Sequence, residues 1–513
     1  MESTGDKELA RLRFEKQRVS KMNAGTQQVD ASLLIHSHSC CEIRLKEVSL
    51  LCDPWLFGSC YWRSWWNFPR PEGLESLLKV WKQKKLVLIY VTHLHWDHFH
   101  GPTLKRLASE LGNIRFLIPK TPESRLHQDL MLFAKSIPID QLIHAKNYNY
   151  RPFTLISFQQ GIAFADSTLA IKVGQDWIWN MNDCKLTNHS LKHLSSIAGR
   201  PKYALRSHSS ANWRSCIRGK SSEDLEAIYD KSLKSYSHEF FQSCYSTGAS
   251  MAIPFASNVA CLHRDTFQYN KILNFSDYVE RDFSDCSDRF GGMRVQLLLP
   301  GESLDIVNGS LLSKNDSFRE EIAVSDREVL LKDYQNLLDG SLSAHYDKEI
   351  GARIKWSLVN RYFSGVIRST PLPLRWYLGK LIHLEIVECG VSHWVCLDFR
   401  AKKVIPLDHL VICERLIIFK VSAFVLNDVC AKSHWNSLGV SKLLEIYIDP
   451  GEKRHEVFGL LCCAYESGGA VPLSNVLRPR FFVTWLRRYR ECLDLFALAF
   501  KVFASDGYKG SVR

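Results

Sequence analysis

Between Val91 and Gly101 the chain reads Val-Thr-His-Leu-His-Trp-Asp-His-Phe-His-Gly. His93, His95, Asp97 and His98 fall within six residues, and every one carries a nitrogen or oxygen that binds divalent metals. The apolar run Leu86–Ile89 leads straight into this stretch and an amphipathic segment begins near Pro102. The pattern predicts a buried strand, a ligand-bearing loop and then a helix. A loop can aim all four side chains at one point, which neither a helix nor a flat strand does at this spacing. Four such groups at the end of a buried strand are costly without a shared partner, so metal binding is the reading. His100 follows the ligand-rich turn and is placed outside the set.

The elements that must hold this loop read as follows. Leu33–Ile35, Ile43–Leu45 and Val48–Leu51 are expected as antiparallel strands, the last running into Asp53-Pro54-Trp55-Leu56. The Trp-rich stretch Tyr61–Trp66 is read as either a lid over a site or an apolar plug. Beyond the motif, helices are expected near 102–111, 123–134, 188–197 and 223–247. Strands are expected at 114–118, 153–157, 169–173, 176–179 and 250–254. Asp183 lies just past the end of the 176–179 strand, well placed to join a metal site. The polar run 277–292 is read as a surface excursion. Strands at 381–388, 395–399 and 403–406 form a meander, joined by 416–421 and 443–448, and the chain ends in an aromatic, Arg-rich helix over 481–503.

The length of 513 residues exceeds a single core and implies more than one domain. The division expected is a polar tail at 1–30, a metal domain at 31–310 and an α+β domain at 311–513 that selects substrate or docks a carrier. Lys and Arg outnumber Asp and Glu by 66 to 54, a formal charge of +12. This balance favours anionic ligands, and its dispersal along the chain speaks against a nucleic-acid binder. The 16 cysteines include no Cys-x-x-Cys pair. With no apolar leader at the N-terminus and no run of the ~18 apolar residues that span a bilayer, reduced thiols in a cytoplasmic protein with no membrane association are expected.

The His93-x-His95-x-Asp97-His98 pattern resembles the signature of the metallo-β-lactamase superfamily. Further stretches match in order: His38-Ser39-Cys40, Asp53-Pro54-Trp55-Leu56, Asn182-Asp183-Cys184, Pro254-Phe255-Ala256 with His263 beyond, and Pro300–Asp305. Together they resemble the catalytic part of CMP-N-acetylneuraminic acid hydroxylases and their bacterial relatives, over roughly 32–306. The resemblance implies an α/β fold, the αββα sandwich of that superfamily, followed by a C-terminal α+β domain. It implies two divalent metal ions, iron in preference to zinc. His93 and His95 would hold one and Asp97 and His98 the other, with Asp183 bridging and His263 completing the second. Asp97 and Asp183 are the carboxylates at the reacting centre, and His38 and Asp53 lie beneath, orienting ligands or serving structure alone.

Two departures from the family pattern stand out. Only His127 and His144 lie between the motif and Asp183, neither just before the strand that precedes Asp183, and Asp166 is read either as the substitute ligand or as the cap of a turn. The Cys-x-His and Cys-x-x-His pairs of an attached Rieske centre are missing too. Only Cys261-Leu262-His263 has the first spacing. The expected activity is hydroxylation of a polar, anionic metabolite, free or carrier-bound, with electrons from a separate protein. The alternative is hydrolysis of an ester, thioester, amide or phosphodiester by a metal-bridging hydroxide.

Overall fold

The computed structural model describes residues 31–122, 125–160, 166–209, 213–218, 222–316, 319–320, 326–410, 416–449, 452–466, 479–494 and 497. The expected tail at 1–30 lies outside them, as do 495–496 and 498–503 of the expected terminal helix, which begins as the helix Pro479–Arg487. Two large sheets face each other. One has eight strands in the order Leu311–Ser313, Ser303–Asp305, Ala31–Ile35, Cys41–Leu45, Val48–Cys52, Leu86–Tyr90, Ile114–Pro119, Ile139–Leu142. The other has seven, in the order Arg294–Val295, Met251–Phe255, Tyr203–Ser207, Asp176–Asn182, Asp166–Val173, Phe153–Gln160, Asn147–Tyr150.

Side-chain alternation along each strand explains the layering. In the motif strand, Leu88 and Tyr90 point inward to meet Phe153, Leu155, Leu169, Ile171 and Leu205 of the facing sheet. Val87 and Ile89 point outward onto Leu77, Trp81, Leu104 and Leu107 of the helices Leu74–Lys82 and Gly101–Glu110. A strand buried on both faces reads as an unbroken apolar run, as Leu-Val-Leu-Ile does. The second sheet is covered the same way, with Trp179, Ala204 and Ala252 under Leu194, Phe240 and Phe241 of the helices Asn188–Ala198 and Ser222–Ser246. The architecture is an αββα sandwich, the layering expected from the sequence.

A third sheet of six strands holds the 381–388, 395–399 and 403–406 meander as expected (Ile382–Glu388, Val391–Asp398, Lys403–Leu407). Ile417–Ser422 then adds in parallel on the far side of Ile382–Glu388. Its outer edge is Ile217–Arg218, paired with Glu445–Tyr447. Its core is continuous with the Trp-rich stretch: Trp55, Tyr61, Trp62, Trp65 and Trp66 pack in one cluster with Phe363, Phe419, Trp435 and Phe458. The Trp-rich stretch is therefore a buried plug rather than a lid. The surface excursion expected at 277–292 is corrected too. Ser276–Ser284 is a helix that buries Val279 and Phe283 four residues apart on one face, and Phe290 is buried after it.

One buried carboxylate makes the sandwich sensitive to acid. Glu42, fully buried in the strand Cys41–Leu45, takes hydrogen bonds from His36 (2.8 Å), Arg44 (2.7 Å) and Ser49 (2.6 Å). Burial pushes its carboxyl up, but His36 and Arg44 outweigh that and hold it well below the usual carboxylate range. A depressed carboxylate stabilises the fold above its unfolded pKa, roughly 4.3, and that contribution is lost as pH falls toward the folded value. Glu42→Gln is expected to cost about 3 kcal/mol at neutral pH and to flatten the loss of stability below about pH 5. Urea unfolding across pH measures both, and an unchanged acid limb would count against this role.

Candidate metal centre

The parallel strands of both sheets deliver the site. The motif strand pairs in parallel with Val48–Cys52, so Asp53 and Thr92 emerge side by side. Asp53 Oδ1 accepts the Thr92 N–H (2.7 Å), and Oδ2 accepts the Thr92 hydroxyl (2.6 Å), His98 Nδ1 (2.9 Å) and the Asn182 amide. Asp53 is fully buried at φ +45°, a conformation that Asp tolerates better than most residues. From the second sheet, Asp183 follows a register shift between Asn180 and Asn182, with Asn182 at φ +51°. Such a bulge re-aims the side chain that follows it.

The hydrogen bonds fix which nitrogen of each ring is free. The Thr92 hydroxyl gives its proton to Asp53, so it accepts from His93 Nδ1 (2.9 Å) and leaves the His93 Nε2 lone pair directed outward. That lone pair lies 2.8 Å from His95 Nδ1. His98 donates through Nδ1 to Asp53, and its Nε2 sits 3.2 Å from Asp183 and 3.4 Å from Asp97. Ligand atoms of His93, His95 and Asp183 lie within 4.8 Å of one another, as do those of His38, Asp97 and His98. The His98–Asp183 approach joins the two groups.

Charge around the centre fits a cation. Burial pushes the Asp97 carboxyl up, but His98 and the hydrogen bond from His38 (3.0 Å) hold it well below the usual range. Asp183 is likewise held low, chiefly by His98. Burial depresses His98, yet Asp97, Asp183 and Asp53 raise it well above an ordinary histidine. Two carboxylates facing one imidazole nitrogen demand positive charge between them, which a proton or a metal ion can supply. Imidazole and carboxylate donors converging in a buried pocket are the donor chemistry of divalent transition metals.

Asp166 begins the strand Asp166–Val173 beside this group, close enough for its charge to act on His95, Asp183 and His98. Burial raises its carboxyl and His95 lowers it. The turn it was alternatively expected to cap, at 161–165, lies outside the described residues. His38 touches Asp97, as expected of a group beneath the site, and Ser39 donates to the Asp97 carbonyl (2.6 Å). His100 caps the helix Gly101–Glu110 by accepting the Thr103 N–H, and so lies outside the set as expected.

His263 is a correction. Its Nε2 lies 3.2 Å from Glu349, and its Nδ1 accepts the Asp265 N–H (3.2 Å), so both ring nitrogens are engaged away from Asp97 and His98. The cause is the strand before it: Val259–Cys261 pairs with Trp65–Asn67 in a separate three-stranded sheet, not with the parallel strands that end at the site.

Several residues escaped the sequence reading. Tyr61 donates to Asp97 Oδ1 (2.5 Å) from a turn in which Tyr61, Trp62 and Arg63 all have positive φ. His208, buried at the end of Tyr203–Ser207, lies near His38. Asn436, 341 positions beyond His95, sets its amide 2.8 Å from His95 Nε2. With the amide nitrogen there, His95 keeps its proton on Nδ1 and donates to His93. With the amide turned over, its oxygen accepts from Nε2 and the Nδ1 lone pair is freed for a metal. Asn436→Ala is expected to weaken metal binding at the His93–His95 position by about 10–100-fold. Competition with a chelator reads this directly, and an unchanged affinity would sink the role.

The motif loop is held on its outer side as well. Trp96 stacks on Tyr61 (5.7 Å, 12°), meets Trp62 and His434 edge-on and lies under Lys432. Arg125 donates to the carbonyls of Lys432 and Ser433.

No family model matches the chain. A stretch of 87 residues is 36% identical to the CMP-N-acetylneuraminic acid hydroxylase of Pongo pygmaeus, 17% of this chain and 14% of that protein. The hydroxylase of Asterias rubens is 33% identical over 94 residues, 18% of this chain and 14% of that one. The chain thus spans about a seventh of the length of these curated relatives. Among solved structures, it is similar to the metallo hydrolase Igni18 from Ignicoccus hospitalis (14% identity, TM-score 0.35, 53% of this chain and 97% of that one). It is also similar to CmlA, a diiron β-hydroxylase from Streptomyces venezuelae (14%, TM-score 0.35, 53% and 54%). The resemblance read from the motifs thus has a counterpart in sequence identity to the hydroxylases.

Proposed function

We propose that this chain is a dinuclear-metal enzyme and, specifically, an iron-dependent oxygenase that hydroxylates a polar, anionic metabolite, free or carrier-bound. The observation that carries this reading is the carboxylate content of the site. Asp97 and Asp183 lie among His93, His95 and His98, and Asp166 begins the strand beside them, its charge acting on His95. Asp166 beside His95 makes the first position richer in oxygen than a three-histidine zinc site, which favours iron. His93, His95 and Asp166 would hold one ion and Asp97 and His98 the other, with Asp183 shared. The bound metals would supply activation of dioxygen. The chain's own residues orient those ligands: Asp53 and Thr92 fix the tautomers of His98 and His93, Tyr61 and His38 hold Asp97, and Asn436 holds His95. The identity to hydroxylases in one stretch supports the same reaction class, and the net charge of +12 supports an anionic substrate. Electrons would come from a separate electron-transfer protein.

Anaerobic purification followed by metal analysis and oxygen-uptake measurement tests the reading. Two irons per chain that consume O2 after reduction are expected. Two zincs, with turnover of a simple ester and no O2 uptake, would overturn oxygenation in favour of a metal-bound hydroxide hydrolase.

Among the described residues, no helix is long and apolar enough to cross a membrane.

A further inference from the structure

We infer that His263, His345 and Glu349 form a second, separate metal site that takes a single zinc-class ion and links the motif-bearing half of the chain to its C-terminal half. His345 and Glu349 lie four residues apart on the helix Asp339–Ile350, hence on one face of it. His263 reaches them from the turn after Val259–Cys261. Ligand atoms of the three residues lie within 4.8 Å of one another.

His345 supplies the independent pointer. It is only 7% exposed, and among the described residues its Nε2 has no hydrogen-bond partner. A buried imidazole nitrogen left unpaired is costly, and a ligand placed among the three groups would satisfy it. Glu349 is already oriented as a metal ligand usually is. Glu349 Oε1 accepts from the Ser422 hydroxyl (2.9 Å), leaving Oε2 facing His263 Nε2 at 3.2 Å. Asp265 Oδ2 lies 3.8 Å from His263 Nδ1. Nδ1 here accepts the Asp265 N–H, so a metal at Nε2 requires the ring to take its other tautomer, with the proton on Nδ1 toward the Asp265 carboxylate.

Glu349 and Asp265 also line a cavity of about 950 Å³, which gives an ion a route in and leaves room for water in a fourth position. Arg63 and Lys348 lie near enough to oppose a cation at His345. Selectivity comes from the donors instead: two imidazoles and one carboxylate suit a zinc-class ion better than calcium or magnesium, which prefer oxygen.

This site stands independently of the motif centre, and the experiment keeps the two apart. The full chain is stripped of metal, reconstituted with Zn2+, freed of excess and analysed for zinc per chain, as wild type and as His345→Ala, Glu349→Gln and His95→Ala. Both His345→Ala and Glu349→Gln are expected to hold one zinc fewer than wild type. His95→Ala is expected to lose one of the two motif zincs and keep this one. Zinc should also raise the melting temperature of wild type more than that of Glu349→Gln. Glu349→Gln preserves side-chain shape and a hydrogen bond to His263, so it tests the site even if His345→Ala fails to fold. Equal zinc in wild type and Glu349→Gln would overturn the proposal, whatever the motif centre binds.

Discussion

His95→Ala is expected to leave the purified chain one metal ion short, with the ion at Asp97 and His98 retained. The imidazole removed is one of two whose nitrogens meet at 2.8 Å. His95 is also the ring that Asn436 holds from the C-terminal half, so both the donor and its support are lost. The fold should survive, because the ring contributes to the site and not to the sandwich core. Turnover should fall by at least about 100-fold if both ions take part in the reaction. Metal analysis on the folded variant decides the point, since full stoichiometry in His95→Ala would refute the ligand assignment.

Asp53→Ala carries the largest expected effect on stability. One buried carboxylate accepts from the Thr92 backbone, the Thr92 hydroxyl, His98 and Asn182. Truncation strands those donors where water does not reach. Each unsatisfied group costs about 1–3 kcal/mol, partly recovered by local relaxation, so a loss of about 3–5 kcal/mol is expected. Metal affinity should fall along with stability, because Asp53 fixes the tautomer of His98 and, through Thr92, that of His93. Denaturant unfolding of the metal-free protein isolates the stability term. A loss below about 1 kcal/mol would mean that these donors find other partners.

The strand, loop and helix around the motif were legible because local rules suffice. Leu86–Ile89 must be buried on both faces, and Pro102 marks a helix start. Asp183 was legible as a residue past a strand end, but the bulge that aims it was not, since a register shift depends on the neighbouring strand. His263 was misplaced because order along the chain does not say which sheet a short strand joins, and Val259–Cys261 joins the wrong one for the site. The helix at Ser276–Ser284 was hidden by its polar surface, although Val279 and Phe283 carry its spacing. Asn436 and Tyr61 could not have been found at all. Nothing local to either residue tells of a partner that only the tertiary fold brings into reach.

Trp96 stands between His95 and Asp97, one ligand from each half of the motif, and its ring is clasped by Tyr61, Trp62, His434 and Lys432. A free loop would surrender its backbone entropy each time it closed on a metal, at roughly 1–2 kcal/mol per residue. Here that ordering is completed as the chain folds, so it is not charged against ion capture. The affinity of the centre therefore depends in part on residues that never touch an ion. A chain severed before the segment that carries Lys432 and His434 would have to order this loop at the moment of binding.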